Sequence, residues 1–451
     1  MNRSRLLRLD RGAVILLAIF LLAGSLLFKP WIHGFDTVAY YSWLRSGVID
    51  GDLHLRNEFD HYGFGNEAGE TATGYTVNEW AIGSALLWLP FFLIAHGGSL
   101  VAHHLGLPVA IDGYAAQYIW AISLGSALYG FAAVLLTYWL GRELFGARIS
   151  LLATVAAWLA GPLVFYMFSH PAMSHANDAF AYALFLFTWF KTRGSLTWNG
   201  AARRGAAAGL CALVRQMNAY LGLLVVAEYI VEGAQQWRRA RDWRSILPAL
   251  QGIAAFTAAW WLVYSPQLIV WRTVFGNWIE LNPYAYTIVG GGFDWTRPHL
   301  LEVLFSTNRG LFVWAPLFLI AALGWRPLRK ISPQLMLLTL VSFVVHWYLV
   351  SVWVAWHGAA AFGQRLFTNF VPAFALGLAA LMSVWQTRVG FRSLAAMCIA
   401  FIVWNALLIV RYAVEDVART GPVPLDHLVI GQFTVLPRYF KRLLQIILTR
   451  T

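Results

Sequence analysis

The sequence predicts an all-α, polytopic membrane protein of about eleven transmembrane helices, and three observations carry that expectation. Of its 451 residues, 59% are hydrophobic and only 12% are charged. Apolar stretches of about 17–25 residues recur along nearly the whole chain, the length a helix needs to cross a bilayer. These stretches are continuously apolar rather than alternating, which favours helices over a closed barrel, the other architecture that satisfies backbone groups in lipid.

The formal net charge of +12 invites a nucleic-acid reading. The distribution argues against it, because the basic residues sit in short clusters between spans, where they set topology. The two cysteines, Cys211 and Cys398, both fall inside apolar runs, so neither a disulfide framework nor a Cys-rich metal site is expected. The excess of Arg over Lys hints at a GC-rich bacterial genome.

The first span is expected at 12–28, with Arg3, Arg5, Arg8 and Arg11 before it. Its basic flank and apolar core resemble a signal peptide, but FKPW follows rather than a small-residue cleavage site, so it reads as a retained span. Positive flanks stay cytoplasmic, so this span delivers Asp36 to the external face. The external loop 29–112 follows, with juxtamembrane helices, one beginning near Asp36. Within it, residues 80–105 are apolar enough to cross, but Pro90, Gly97, Gly98 and three His suit a segment lying along the interface. That choice puts Arg203/Arg204, Arg238/Arg239/Arg241/Arg244 and Arg326/Arg329/Lys330 inside; the opposite choice puts them outside. The remaining spans are expected at 113–140, 149–168, 178–191, 205–219, 220–233, 246–265, 309–325, 333–353, 366–385 and 393–412. Together, residues 1–412 form one transmembrane domain, with a second long external loop at 266–308. Residues 413–451 form a short external tail ending in an amphipathic helix.

On this threading only Asp10, Glu143, Glu228, Glu232 and Asp242 lie inside, and the other acids and all 12 His gather at the external face. Topology does not demand this, since acids contribute little to it. Titratable chemistry is densest at 33–60, which holds Asp36, Asp50, Asp52, Glu58 and Asp60. Asp36 is either a helix cap or a general base for an acceptor hydroxyl, with Tyr40, Tyr41 and Glu79 as neighbouring substrate contacts. Asp50-Gly51-Asp52 is a polar turn or a pair of oxygen ligands for a divalent cation. Asp178 opens a span within SHPAMSHAND, where a helix N-terminus favours a carboxylate and a cap is one open reading; His175 in the same stretch is a candidate substrate contact. Arg215, Arg309 and Arg365 sit at external helix ends in apolar sequence. There they either snorkel to headgroups or bind an anion such as phosphate. The 266–308 loop is rich in Trp and Tyr, and Gly290-Gly291-Gly292 offers a hinge.

These motifs resemble the GT-C superfamily of integral-membrane glycosyltransferases, and within it the bacterial relatives of protein O-mannosyltransferases and lipid A aminoarabinose transferases. The resemblance is carried by FDTVAYYSWLRSGVIDGDL, NEWAIGSALLWLPFF, GRELFG, the position of Asp178, LFSTNRGLFVWAPL and WHGAAAFGQRLFTNFVPAFALGLAAL, and covers most of 1–390. It implies a GT-C-like fold and transfer of a sugar from a polyprenyl-phosphate donor to a lipid, glycan or protein acceptor, at the external face of a bacterial inner membrane. It further implies Asp36 as the base, Asp178 as a second acid and Arg309 or Arg365 as the phosphate contact. In the relatives a second acid commonly follows the first; here Thr37 follows Asp36. A transporter, flippase or non-catalytic binder of lipid-linked glycans is the alternative. Transporters usually place their polar groups near mid-membrane, whereas these acids lie at a face.

Overall fold

The computed structural model describes residues 10–449, so Arg3, Arg5 and Arg8 lie outside the described residues. The described residues are predominantly helical, with two isolated β-bridges, Glu70–Thr76 and Phe293–Trp353, and no sheet. Among them, six helical stretches are long and apolar enough to cross a membrane: Gly83–His104, Ala116–Phe145, Gln216–Ala240, Trp243–Val274, Pro333–Ser351 and Arg365–Ala413. Shorter apolar helices span Arg11–Leu27 and Ala147–Leu159. Small residues let these helices approach closely. A Cβ added at Gly205 would lie 2.1 Å from the Phe256 carbonyl oxygen, and one at Gly209 2.8 Å from that of Trp260. This glycine-and-alanine seam joins helix Trp198–Val214 to helix Leu247–Val274.

Contacts between the first helix and Ala116–Phe145 fix their relative direction. Phe28 packs on Trp120, Phe20 on Phe131, and Tyr138 donates a 2.8 Å hydrogen bond to Asp10. The two helices are therefore antiparallel, and the chain leaves the first at the end where the second begins. Residues 28–115 start and finish at that one end of the bundle. Helix Gly83–His104 lies inside this excursion. Its own antiparallel contacts, Trp88 to Ser126 at 2.7 Å and His96 to Tyr118 at 2.9 Å, run it back out towards the end it came from. It has the length to span a membrane, yet here it begins part-way down the bundle, with Gly83 packed against Leu213 and Val214.

Helical hydrogen bonding runs through Val371–Ala413, but Gly390 breaks it with φ 76° and ψ 156°. Arg148 stacks over Phe391 just past this break, while Tyr412 donates to the Ala360 carbonyl at 3.1 Å. Residues 360 and 412 thus meet at one end, and the segment is two antiparallel helices, as 366–385 and 393–412 anticipate. Several expected boundaries are corrected: the 149–168 span is two helices, Ala147–Leu159 and Leu163–Phe168, and the 220–233 helix runs on to Ala240. The 246–265 helix continues through Pro266 to Val274. The 205–219 helix stops at Val214, because Arg215 adopts extended backbone and Gln216–Ala219 forms a 3-10 turn. The 309–325 span is broken into Leu311–Trp314 and Pro316–Leu323, with Arg309 in the left-handed region at φ 64°. In the tail, helix Leu425–Thr449 is tied down by fully buried Arg411, whose donors reach Asp416, His427 and Leu428.

Candidate active site

Asp36 lies in the first turn of helix Phe35–Arg45. It is not the cap. Gly34, at φ 89°, provides the turn, and Thr37 closes it, accepting from the His33 amide and donating to the Gly34 carbonyl, both at 2.9 Å. Thr37 therefore has a local job, and it leaves the Asp36 carboxylate free to face the bundle. That carboxylate meets Arg365, Oδ2 to Nη1 at 2.7 Å, across more than three hundred residues of chain. Arg365 opens the 3-10 turn Arg365–Phe370 that leads into the helix beginning at Val371.

Tyr40, one turn beyond Asp36, accepts a 2.9 Å hydrogen bond from Ser174 and lies close enough to feel the charges of Arg215, Asp36 and Arg365. Tyr41 points elsewhere; its hydroxyl donates to the Gly113 carbonyl and the ring is buried in the loop core. The stretch Ser169–Asp178 arrives beside Tyr40 through Ser174. Asp178 is 1% exposed and is held by Asn218, whose Nδ2 donates at 2.6 Å. Arg215 Nε stands 3.7 Å from its other oxygen, and Arg215 also donates to His175 Nδ1 at 2.9 Å. Asn369 in turn donates to Asn218 at 3.2 Å. Asp178 thus stands behind Arg215 in a buried polar chain, and the acid facing Arg365 is Asp36.

Arg215 lines a cavity of about 690 Å³ together with Tyr40, the residue through which the Asp36–Arg365 pair comes nearest to it. Tyr40, Glu79, Trp80, Arg215 and Tyr284 form its polar, aromatic side. Its apolar side runs along helices Tyr220–Ala240 and Leu247–Val274 and reaches their outer surfaces at Leu223, 72% exposed, and Trp261, 42% exposed. Glu79 is buried; Oε1 accepts from Thr287 at 2.9 Å and Oε2 has no partner. Burial pushes its pKa up to about 7, and the neighbouring charge of Asp36 adds to the effect.

Other candidates are not brought to this cavity. Arg309 is fully buried, and each of its nitrogens has an acceptor: Ala361 O at 3.0 Å, Gly421 O at 2.6 Å, Ala418 O at 2.7 Å and Asn308 Oδ1 at 2.9 Å. It clamps the loop before Arg365 to the C-terminal segment. Asp50 pairs with Arg45 and accepts from Asn57 at 2.7 Å, while Asp52 accepts from Ser46 at 2.8 Å and the His54 amide at 3.0 Å. Among the described residues no three His, Cys, Asp or Glu side chains gather as a metal site. Residues that the sequence reading missed are neutral: Ser174, Asn218, Thr287 and Asn369. Asn218 carries the one available signal, a polar residue beside Arg215 in otherwise apolar sequence.

No family model and no curated protein matches the sequence. Solved structures do. The crystal structure of ArnT from Cupriavidus metallidurans bound to undecaprenyl phosphate aligns over 94% of this chain and 74% of that one, at 13% identity and a TM-score of 0.50. Archaeal oligosaccharyltransferase AglB from Archaeoglobus fulgidus, in complex with an inhibitory peptide and a dolichol-phosphate, aligns over 91% of this chain and 56% of that one, at 14% identity and a TM-score of 0.46. At such identity the ArnT likeness speaks for architecture, and it agrees with the motifs quoted above: this chain has the GT-C fold of integral-membrane glycosyltransferases.

Proposed function

We propose that the protein is a glycosyltransferase that moves a sugar from a polyprenyl-phosphate donor to a hydroxyl acceptor at the external face of a bacterial cytoplasmic membrane. The observation that carries this reading is the pairing of one partly exposed acid, Asp36, with one arginine, Arg365, close to Tyr40, which lines a cavity open along apolar helices. An isoprenoid chain fits the apolar side, where Leu223 and Trp261 meet the bundle surface. A phosphate fits the arginines, whose planar guanidinium forks suit its oxygens. The sugar ring fits between Tyr40, Trp80 and Tyr284, with the unpartnered Oε2 of Glu79 to take a hydroxyl.

The acceptor oxygen attacks the anomeric carbon while its proton passes to Asp36. The bond from that carbon to the phosphate oxygen breaks, and its electron pair leaves with the lipid phosphate. A phosphate leaves as a stable anion, so no general acid is needed, and Arg365 and Arg215 stabilise the charge that develops on it. Single displacement inverts the anomeric centre. Asp178 keeps Arg215 in place from behind, together with Asn218. The external assignment draws support from the shared end of residues 28–115, which keeps Asp36 on one side whatever the length of helix Gly83–His104. With the basic N-terminus cytoplasmic, the basic clusters then fall inside.

The test is transfer by purified protein in nanodiscs, using a panel of polyprenyl-phosphate sugars and membrane-extracted acceptors. Wild type should transfer one of them, and Asp36→Asn should lose about 10²–10⁴-fold in rate. Transfer that survives the substitution would remove Asp36 from the chemistry. Wild type that carries the donor across a vesicle bilayer without transferring its sugar would favour a flippase.

A further inference from the structure

The two carboxylates that pair with Arg215 and Arg365 are held very differently. Asp178 is fully buried and braced by Asn218, so Arg215 is not its only support. Asp36 has a side chain 26% exposed, and Arg365 is its one side-chain partner among the described residues. Arg365 is itself under-used. Nη1 meets Asp36, while its Nε is buried without a partner. A guanidinium offers five N–H donors in a planar fork, so a group with several oxygens satisfies it better than one carboxylate oxygen does.

We propose that the Asp36–Arg365 pair is a latch that the donor opens: the donor's phosphate takes Arg365, and the released Asp36 carboxylate turns to the acceptor hydroxyl. The inference rests on the reading of this cavity as a phosphate-lipid site. Electrostatics drives both halves the same way. An incoming phosphate attracts Arg365 and repels Asp36, and both effects are strong next to low-dielectric helices. Asp36 has room to move, since it is partly exposed and lies in the first turn of its helix rather than capping it. Without donor, one oxygen of the base is occupied by Arg365; with donor bound, it is available. The base is thereby switched on by the substrate whose bond it helps to break, and the donor binds first.

The latch has a consequence that a structural ion pair lacks. Asp36 competes with the phosphate for Arg365, so part of the binding free energy is spent on opening the pair, and apparent affinity falls by the fraction of latched molecules. Removing the competitor should tighten binding. The experiment measures affinity of detergent-solubilised full-length protein for a polyprenyl monophosphate and, as the uncharged control, for the matching polyprenol. Asp36→Asn should bind the phosphate about tenfold more tightly than wild type, and Arg365→Gln at least about tenfold more weakly. Polyprenol should bind all three alike. Asp36→Ser provides a second variant, with folding checked by size-exclusion profile and thermal midpoint.

Equal or weaker phosphate binding by folded Asp36→Asn and Asp36→Ser overturns the latch, as does an equal gain for polyprenol, which would report a change of cavity shape. The two readings fail separately. Asp36→Asn that loses transfer without binding more tightly keeps the glycosyltransferase and removes the latch. Tighter phosphate binding, with wild type inactive on every donor, keeps the latch and removes the enzyme.

Discussion

Arg309 and Arg411 are both 0% exposed, and every guanidinium nitrogen they carry has an acceptor, five of the seven acceptors being backbone carbonyls. Arg215 lines the cavity and pairs with Asp178 and His175, while Arg365 pairs with Asp36 close by and leaves a buried nitrogen unused. All four come from apolar sequence near one end of the bundle. The difference lies in what surrounds them. Where loops converge, as at 308, 361, 418 and 421, free carbonyls saturate an arginine and make it a clamp. Where helices diverge around a cavity, few carbonyls are free, and the arginine keeps donors for a ligand. A buried arginine in a membrane protein is therefore assigned by counting the acceptors it already has.

The sharpest way to break that comparison is to truncate one arginine of each kind. Arg309→Ala leaves the Ala361, Ala418 and Gly421 carbonyls without their shared donor and should cost about 3–5 kcal/mol, read as a large drop in thermal midpoint in detergent. Arg365→Ala removes a partly exposed ion pair and should change stability by about 1 kcal/mol or less. Its cost should fall on transfer instead, by about 10²–10³-fold. If Arg309→Ala stays folded and loses only transfer, the distinction fails.

Glu79 extends the comparison to acids. Its folded-state pKa of about 7 stands above the ordinary glutamate value of 4.5. The folded protein therefore binds the extra proton between those values, and stability falls as pH rises from about 4.5 to about 7. Above pH 7 the full cost remains, about 3 kcal/mol for a shift of this size. Glu79→Gln should raise the thermal midpoint at pH 8 and leave it nearly unchanged below pH 4.5. A midpoint raised equally at both pH values would mean that the gain is not electrostatic.

A smaller effect tests the brace behind Arg215. Asn218→Ala removes the 2.6 Å donor to buried Asp178 and should cost about 1–3 kcal/mol of stability. It should also loosen Arg215, weakening polyprenyl-phosphate binding while sparing polyprenol. Asn218→Asp would set two carboxylates side by side and should be worse than alanine, since like charges cannot both be buried ionised. Alanine being the worse of the two would show that side-chain volume, rather than the donor, is what position 218 supplies.

Much of the architecture was legible because its cause is local. Continuous apolar runs identify helices. The reversal near Gly390 was readable from RVGFR, where charges and a glycine interrupt an apolar run. Boundaries set by tertiary contacts were not. Pro266 looks like a stop, yet the helix continues, its Gln267 accepting a 3.0 Å hydrogen bond from the Ile82 amide. The site was half legible. Asp36, Glu79, Arg215 and Arg365 announce themselves as charges in apolar surroundings. Arg309 announces itself in the same way, and only the positions of residues 418 and 421, a hundred residues later, separate clamp from contact. Asn218 and Ser174 are ordinary in sequence and acquire meaning only from the side chains they meet.

The least disruptive test concerns Asp50-Gly51-Asp52, the triplet that reads equally as a turn and as a cation site. Gly51 takes φ 75°, the left-handed conformation a tight turn needs, and Asp52 accepts from Ser46 and the His54 amide across it. Asp50 already neutralises Arg45, whose positive charge sits where a cation would bring more. Asparagine retains the Oδ1 acceptor, so Asp52→Asn should change transfer less than about twofold and stability by about 0.5 kcal/mol or less. Chelation by EDTA should have equally little effect. Loss of transfer in EDTA, restored by Mg²⁺ or Mn²⁺ in wild type but not in Asp52→Asn, would return the triplet to the role of a metal ligand. It would also mean that these hydrogen bonds rearrange when the ion binds.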